Sequence, residues 1–373
     1  MLRSSSGNLP TILARFIAHN NALGGVLHTG IARGHRGNPA ASIHVDRVYG
    51  VPVLLSGLAP LVLSEPEQSL INQHHKDKMS NFQRLLPCTP RAVIYFLGGS
   101  LPGVALLHLR QLSIFGMITR LPENILNKLA TSVFSSSVPI TKSWFGQVQD
   151  LCTKYHLPQP LQLLQSPLSK YQMKKLCKKQ VLNYWEELLR AEAEDPRYSS
   201  LVYFKPRFMS LSTPHPLWTS AGPSSSKVAM ASVQAQMLSG RYRTEGLCRH
   251  WSLKNKEGHC LLSTACSNTV EDIPHILLHC VALQDIRAKL TLFTISYCKN
   301  IPYVISNLIL SLSLPSNPHF CQFLLDCSVL PEVMRATQIF GEDVLHHAFN
   351  ITRRWVYSLH KTRMKILGRW NPI

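Results

Sequence analysis

Acid is scarce in this sequence: 20 Asp and Glu residues stand against 39 Lys and Arg, a formal charge of +19 with a pI near 9.7. The first carboxylate is Asp46, and none follows Asp343. Such a surface repels cations and attracts polyanions, nucleic acid first and anionic membrane second. Long apolar runs are missing too. Val51 to Leu63 and Ile301 to Leu314 are the longest, both contain Pro or polar breaks, and both fall short of the roughly 20 residues of a membrane span. No transmembrane helix is expected. Nor is there an Asp-Asp pair, a phosphate-cradling GxxxxGKS/T loop, a dinucleotide GxGxxG or a GxSxG elbow, which removes the commonest enzyme signatures. The acidic pairs Glu186–Glu187, Glu271–Asp272 and Glu342–Asp343 lie in helix-like polar contexts and read as solvated faces or helix-start charges. Gly98 to Gly103 reads as a tight turn before a helix.

The chain of 373 residues is 45% apolar and only 16% charged, the balance of a folded protein. Its length suits two or three domains. Ten cysteines are irregularly spaced, with no secretory pattern before them, so a reducing, intracellular setting in nucleus or cytoplasm is expected. The acid-free start, rich in Arg, Ser and Gly, also has transit-peptide composition.

Apolar residues recur at helical spacing between Pro and Ser breaks, without the regular short alternating strands of a sandwich or barrel, so the fold class is mainly α. Residues 1–41 are poorly defined, and 42–131 form a helical domain containing a nearly all-round apolar helix, Val104 to Leu121, started behind Pro102 and expected to be buried. A basic helical segment spans 140–205. There Met173, Cys177, Val181, Tyr184 and Leu188 share one stripe, while Lys174, Lys175, Lys178 and Lys179 project around the other side. Residues 206–228, rich in Pro and Ser, read as a linker or extended arm. A metal-binding segment covers 229–290. A basic helical segment, 291–373, follows with Val344, Ala348, Ile351, Trp355 and Leu359 on one face.

The strongest local signal is Cys260, Cys266, His275 and Cys280. Three thiolates and an imidazole suit tetrahedral Zn²⁺, and four protein ligands leave no open position, so the centre would be structural. The fourth position is open between two residues. If Pro274 starts an α-helix, His279 lies at i+4 from His275 on the same face, while Cys280 lies about 140° away. Basic residues interleaved with aromatics form three patches: Lys170 to Lys179 with Tyr171, Arg241-Tyr242-Arg243 running on to Arg249, and Arg353-Arg354 in the last helix. Lys and Arg neutralise phosphates and aromatics stack on unpaired bases, so RNA or DNA is the expected partner.

Gly34 to Pro39 followed by Val48 to Leu58, and Thr89 to Pro102 with its following helix, resemble the thumb region of non-LTR (LINE-type) retrotransposon reverse transcriptases. Met237 to Thr244 followed by the Cys260, Cys266, His275, Cys280 set is similar to the C-terminal region of those polyproteins. The resemblance runs from about residue 25 to 290. It implies that 42–131 is a thumb-like helical domain, that the CCHC zinc segment contacts template RNA or target DNA, and that Cys280 is the fourth ligand. It also implies that the endonuclease and the Asp-Asp palm are absent, so this chain is non-catalytic in isolation and any polymerase domains would act in trans.

Overall fold

The computed structural model describes residues 7–26, 37–136, 143–248 and 257–369. The mainly α expectation holds: among the described residues there is no sheet, only a single antiparallel bridge between His259 and Val270. The helices run α1 (Leu9–Val26), α2 (Pro39–Val45), α3 (Val51–Leu54), α4 (Glu65–Phe82), α5 (Arg91–Gly98) and α6 (Gly103–Thr119). They continue with α7 (Ile125–Ser135), α8 (Trp144–Lys154), α9 (Pro160–Gln165), α10 (Lys170–Ala193), α11 (Pro216–Thr219) and α12 (Ser225–Leu238). The last group is α13 (Glu245–Cys248), α14 (Gln284–Cys298), α15 (Tyr303–Leu312), α16 (Phe320–Leu325), α17 (Pro331–Phe340) and α18 (Asp343–Ile366).

Local chemistry sets several of these boundaries. Helix α10 begins on a reciprocal cap in which Ser169 Oγ accepts from the Gln172 amide and Gln172 Oε1 accepts from the Ser169 amide, satisfying two donors that a helix start leaves orphaned. Helix α5 ends on Gly99 in the left-handed region, φ 58°, and α6 starts after Pro102, whose fixed φ suits that position. Gly99 also answers a close approach, because a Cβ there would lie 2.0 Å from the Thr213 carbonyl carbon. The turn predicted at Gly98 to Gly103 is therefore clamped by the Pro-rich stretch crossing over it, and the His215 amide donates to Leu97 O at 3.0 Å.

That crossing corrects the expectation of a linker over 206–228. Leu217 and Trp218 are fully buried, and Asn38 Nδ2 donates to the carbonyls of Trp218 and Gly222. Proline breaks the helices without freeing the chain, since a large indole gains more from burial than an exposed arm could hold. One hydrophobic cluster reaches from Ile43 to Leu359 and includes residues of every segment distinguished from 42 onward. A smaller one gathers Ile12, Leu54, Leu55, Leu58, Leu63, Ile71 and Leu107 beneath α1.

Helix α18 is central to the larger cluster. It packs on α12, α14, α16 and α17, and the predicted stripe Val344, Ala348, Ile351, Trp355 and Leu359 is buried. Gln234 of α12 donates to Leu324 O and to Thr352 Oγ1 of α18, a polar tie inside the apolar core. The α10 stripe is buried at Met173, Cys177 and Val181 but continues through Trp185 and Leu189, with Tyr184 and Leu188 at its edge. A straight helix advances about 100° per residue, so each four-residue step carries the buried row about 40° further round, and the face that α10 buries winds along the helix.

Candidate metal centre

Cys260, Cys266, His275 and Cys280 converge: one ligand atom from each lies within 4.8 Å of all the others, and all four residues are buried. Their Sγ atoms are separated by 3.4 Å (Cys266–Cys260), 3.8 Å (Cys260–Cys280) and 4.0 Å (Cys266–Cys280). Two sulfurs on a tetrahedral ion with bonds of about 2.3 Å stand about 3.8 Å apart. A disulfide would need about 2.05 Å, and all three cysteines are free. Both ring nitrogens of His275 are buried without a hydrogen-bond partner, an expensive state unless one of them binds something. Burial pushes the Cys260 thiol up to about 12 and also raises Cys280. A cation is what would let these thiols ionise here. The cluster can bind a metal ion through four protein ligands.

Two short pieces of backbone build it. On the first, the Cys260 amide donates to Thr269 O, the Thr269 amide to Cys266 O and the Cys266 amide to Ser263 O, folding 260–269 back on itself so that two thiols face inward. On the second, Asp272 Oδ1 accepts from the His275 amide at 2.7 Å, the helix-start role predicted for this acidic pair. The turn that follows, His275–His279, is a π-turn closed by the Cys280 amide donating to His275 O at 2.7 Å. The wider i→i+5 turn swings Cys280 round to the side of His275. His279 is left exposed and outside the cluster, which decides between the two fourth ligands. Residues four apart share a face only in a regular α-helix, and this turn is not one.

The other member of the acidic pair, Glu271, contradicts the solvated-face expectation. It is fully buried, and its Oε1 accepts from Arg363 Nη2 at 2.5 Å and from the Glu245 amide at 2.9 Å. Its own amide donates to Gly258 O, two residues from Cys260. Burial works against the charge of Arg363, 1% exposed, but Tyr242 and Glu271 outweigh it and raise its pKa above the usual value. The metal loop is thereby bolted to α18 by a buried ion pair. Its sequence signal is faint: an arginine in an otherwise solvated-looking helix end.

The residues expected to touch nucleic acid divide. Lys174, Lys175, Lys178 and Lys179 are all exposed. Arg243 is exposed and Arg241 half-buried, whereas Tyr242 is buried, its hydroxyl paired with His360 Nδ1 at 2.7 Å. Tyr242 is thus a core residue and cannot stack on a base. Arg353 is also a correction. It is 1% exposed, donates to Ser220 Oγ at 2.7 Å and lies over the Phe349 ring, because it sits on the side of α18 that its neighbours cover. Arg354 is exposed but stacked on Phe293 at 4.0 Å. Arg249 lies outside the described residues.

A feature the sequence reading missed lies between α6 and α10. A groove of about 780 Å³ is lined by Arg47, Arg110, Arg120, Lys170, Lys174 and Lys178 above a floor of aliphatic and Met side chains. No carboxylate lines it. Its signal was present in Arg110, Ser113, Met117 and Arg120, a polar-edged stripe at helical spacing on a helix expected to be wholly buried. In the fold Ser113 and Met117 are exposed. A scan against protein-family models, a search of the curated proteins and a search of the solved structures each found no match.

Proposed function

We propose that this chain is a zinc-stabilised, nucleic-acid-binding protein without catalytic activity of its own, corresponding to the C-terminal part of a LINE-type reverse transcriptase as its motifs imply. Zinc is the ion of choice for three thiolates and an imidazole, and a closed four-ligand set makes it structural. The observation that carries the binding reading is α10. Its four consecutive-turn lysines all reach solvent, and Tyr171, 72% exposed, stands at the head of the row Tyr171, Lys175, Lys179. Residues four apart share a face, so this row offers a stacking ring followed by two ammonium groups along one outer face. Single-stranded RNA is recognised by that combination.

The test is a salt titration of oligo-uridine binding by the zinc-loaded chain. Each phosphate neutralised on a single strand contributes about −0.7 to the slope of log K against log salt. Lys175→Glu with Lys179→Glu should flatten that slope by about 1.4, and Tyr171→Ala should weaken binding at every salt concentration. Binding independent of salt, or unmoved by both changes, would remove the reading.

A further inference from the structure

Helix α6 is almost entirely apolar, and most of it is buried, but a stripe is left open. Leu106, Leu109, Ile114 and Met117 line the groove from the α6 side, with Met173, Cys177 and Leu182 opposite on α10. Met173 Cγ would be 2.7 Å from a Cβ at Gly116, so the far end of α6 touches the start of α10, while the other end of α10 reaches α5, with Arg190 over the Phe96 ring. The lining runs from Leu106 to Arg120 along α6, about 21 Å at 1.5 Å per residue, or close to four helical turns. In the sequence just past Arg120, Leu121, Ile125 and Leu129 are 46%, 78% and 49% exposed.

The rim is of one sign. Arg47 Nη2 donates to Gly99 O and Arg110 Nη1 to Pro52 O, so both are pinned on the wall by carbonyls and not by carboxylates. Lys170, Lys174 and Lys178 form a second i, i+4, i+8 row on α10, distinct from the outer row that begins at Tyr171. None of the six cations forms an ion pair among the described residues.

From this geometry we infer that the α6–α10 groove docks an acidic amphipathic helix of another polypeptide, its apolar stripe on the Leu and Met floor and its carboxylates on the six-cation rim. Two packed helices that leave an apolar furrow between them are covered by a third through ridges and grooves. Leu-lined and Met-lined furrows accept such helices through anchors at i, i+3 or i+4 and i+7. A nucleic-acid strand fits less well, because its non-ionic affinity comes from aromatic stacking and no aromatic side chain lines this groove. The charge complementarity fixes the partner's sign. A neutral helix would leave the rim unpaired, and a basic one would set like charge against it.

The probe is a fluorescein-labelled designed peptide of about four turns, with Leu on one face and Glu on the other, added to the full zinc-loaded chain and read by anisotropy. Micromolar binding is expected. Lys174→Glu with Lys178→Glu should weaken it at least about tenfold, as should Met117→Glu on the floor. Lys175→Glu with Lys179→Glu should leave it unchanged. These positions are exposed, so the variants keep the fold, and far-ultraviolet circular dichroism checks that they do. No binding, equal binding of a peptide of the same composition in shuffled order, or a groove-row variant that loses oligo-uridine or anionic vesicles but keeps the peptide would each overturn the inference. Both readings draw on the lysines of α10, and the separate variants tell them apart: the nucleic-acid reading fails on Tyr171, Lys175 and Lys179, the docking on Lys174, Lys178 and Met117.

Discussion

Replacing Arg363 with Met removes the charged half of a buried pair while keeping most of its aliphatic volume. Glu271 is fully buried and accepts from Arg363 Nη2 at 2.5 Å, from Arg363 Nε at 3.3 Å and from the Glu245 amide at 2.9 Å. In the variant only the neutral amide remains against a carboxylate with no water. Breaking such a pair from one side costs about 3–5 kcal/mol, a third or more of the total stability of many domains. Glu271→Gln should cost less, because Arg363 retains the Glu245 carboxylate at 4.0 Å and the glutamine oxygen still accepts from the Glu245 amide. The double variant should be less destabilised than the sum of the two, since no uncompensated ion is left inside. Urea unfolding followed by circular dichroism gives each value. The reasoning fails if Arg363→Met lies within about 1 kcal/mol of the parent chain, the range of a solvent-exposed pair, or if the double variant is strictly additive.

The other expectations concern the metal, the clamped turn and acid. Metal analysis of purified protein should find one zinc, lost in Cys260→Ser and Cys280→Ser but retained in His279→Ala; zinc retained in Cys280→Ser and lost in His279→Ala would overturn the π-turn assignment. Gly99→Ala, which would force a Cβ to 2.0 Å from the Thr213 backbone, should destabilise by several kcal/mol. Gly222→Ala, with φ +60° but nothing within 4 Å, should cost only about 1–2 kcal/mol of left-handed strain; equal urea midpoints would refute the clamp. Burial lowers His75 to about 4 and His108 to about 3, whereas unfolded histidine titrates near 6.5. The unfolded state therefore takes up more protons, so stability is complete above about pH 6.5 and falls as pH drops toward 4. A urea midpoint that is flat between pH 7.5 and 5 would contradict this, and His108→Gln should reduce the slope.

What the sequence made legible was periodicity and ligand chemistry. The lysines of α10, the stripe of α18 and the three thiols with His275 all follow from spacing and residue type. What stayed hidden depended on the chain leaving regular geometry or on neighbours far away in sequence. Cys280 meets His275 through a π-turn that no 100° wheel contains. Arg353 and Arg363 carry the charge of surface residues but fall on faces of α18 that its packing partners cover, whereas Arg354, one residue from Arg353, stays exposed. Trp218 sits in a Pro-rich stretch whose composition says arm and whose indole says core; the burial of the indole prevailed. Residues lining the α6–α10 groove come from four separate stretches, and only their arrangement in space reveals that their charges agree.

The bolt between Glu271 and Arg363 also has a temporal side. The two residues are 92 positions apart, so on a ribosome adding about 5–20 residues per second the carboxylate waits at least several seconds for its guanidinium. During that interval Glu271 has no cation, α12 has no Thr352 for Gln234, and the flanks of α14 and α16 that α18 covers are bare. The core around α18 should therefore consolidate only when that last long helix arrives, and a chaperone that shields apolar flanks would have its window there.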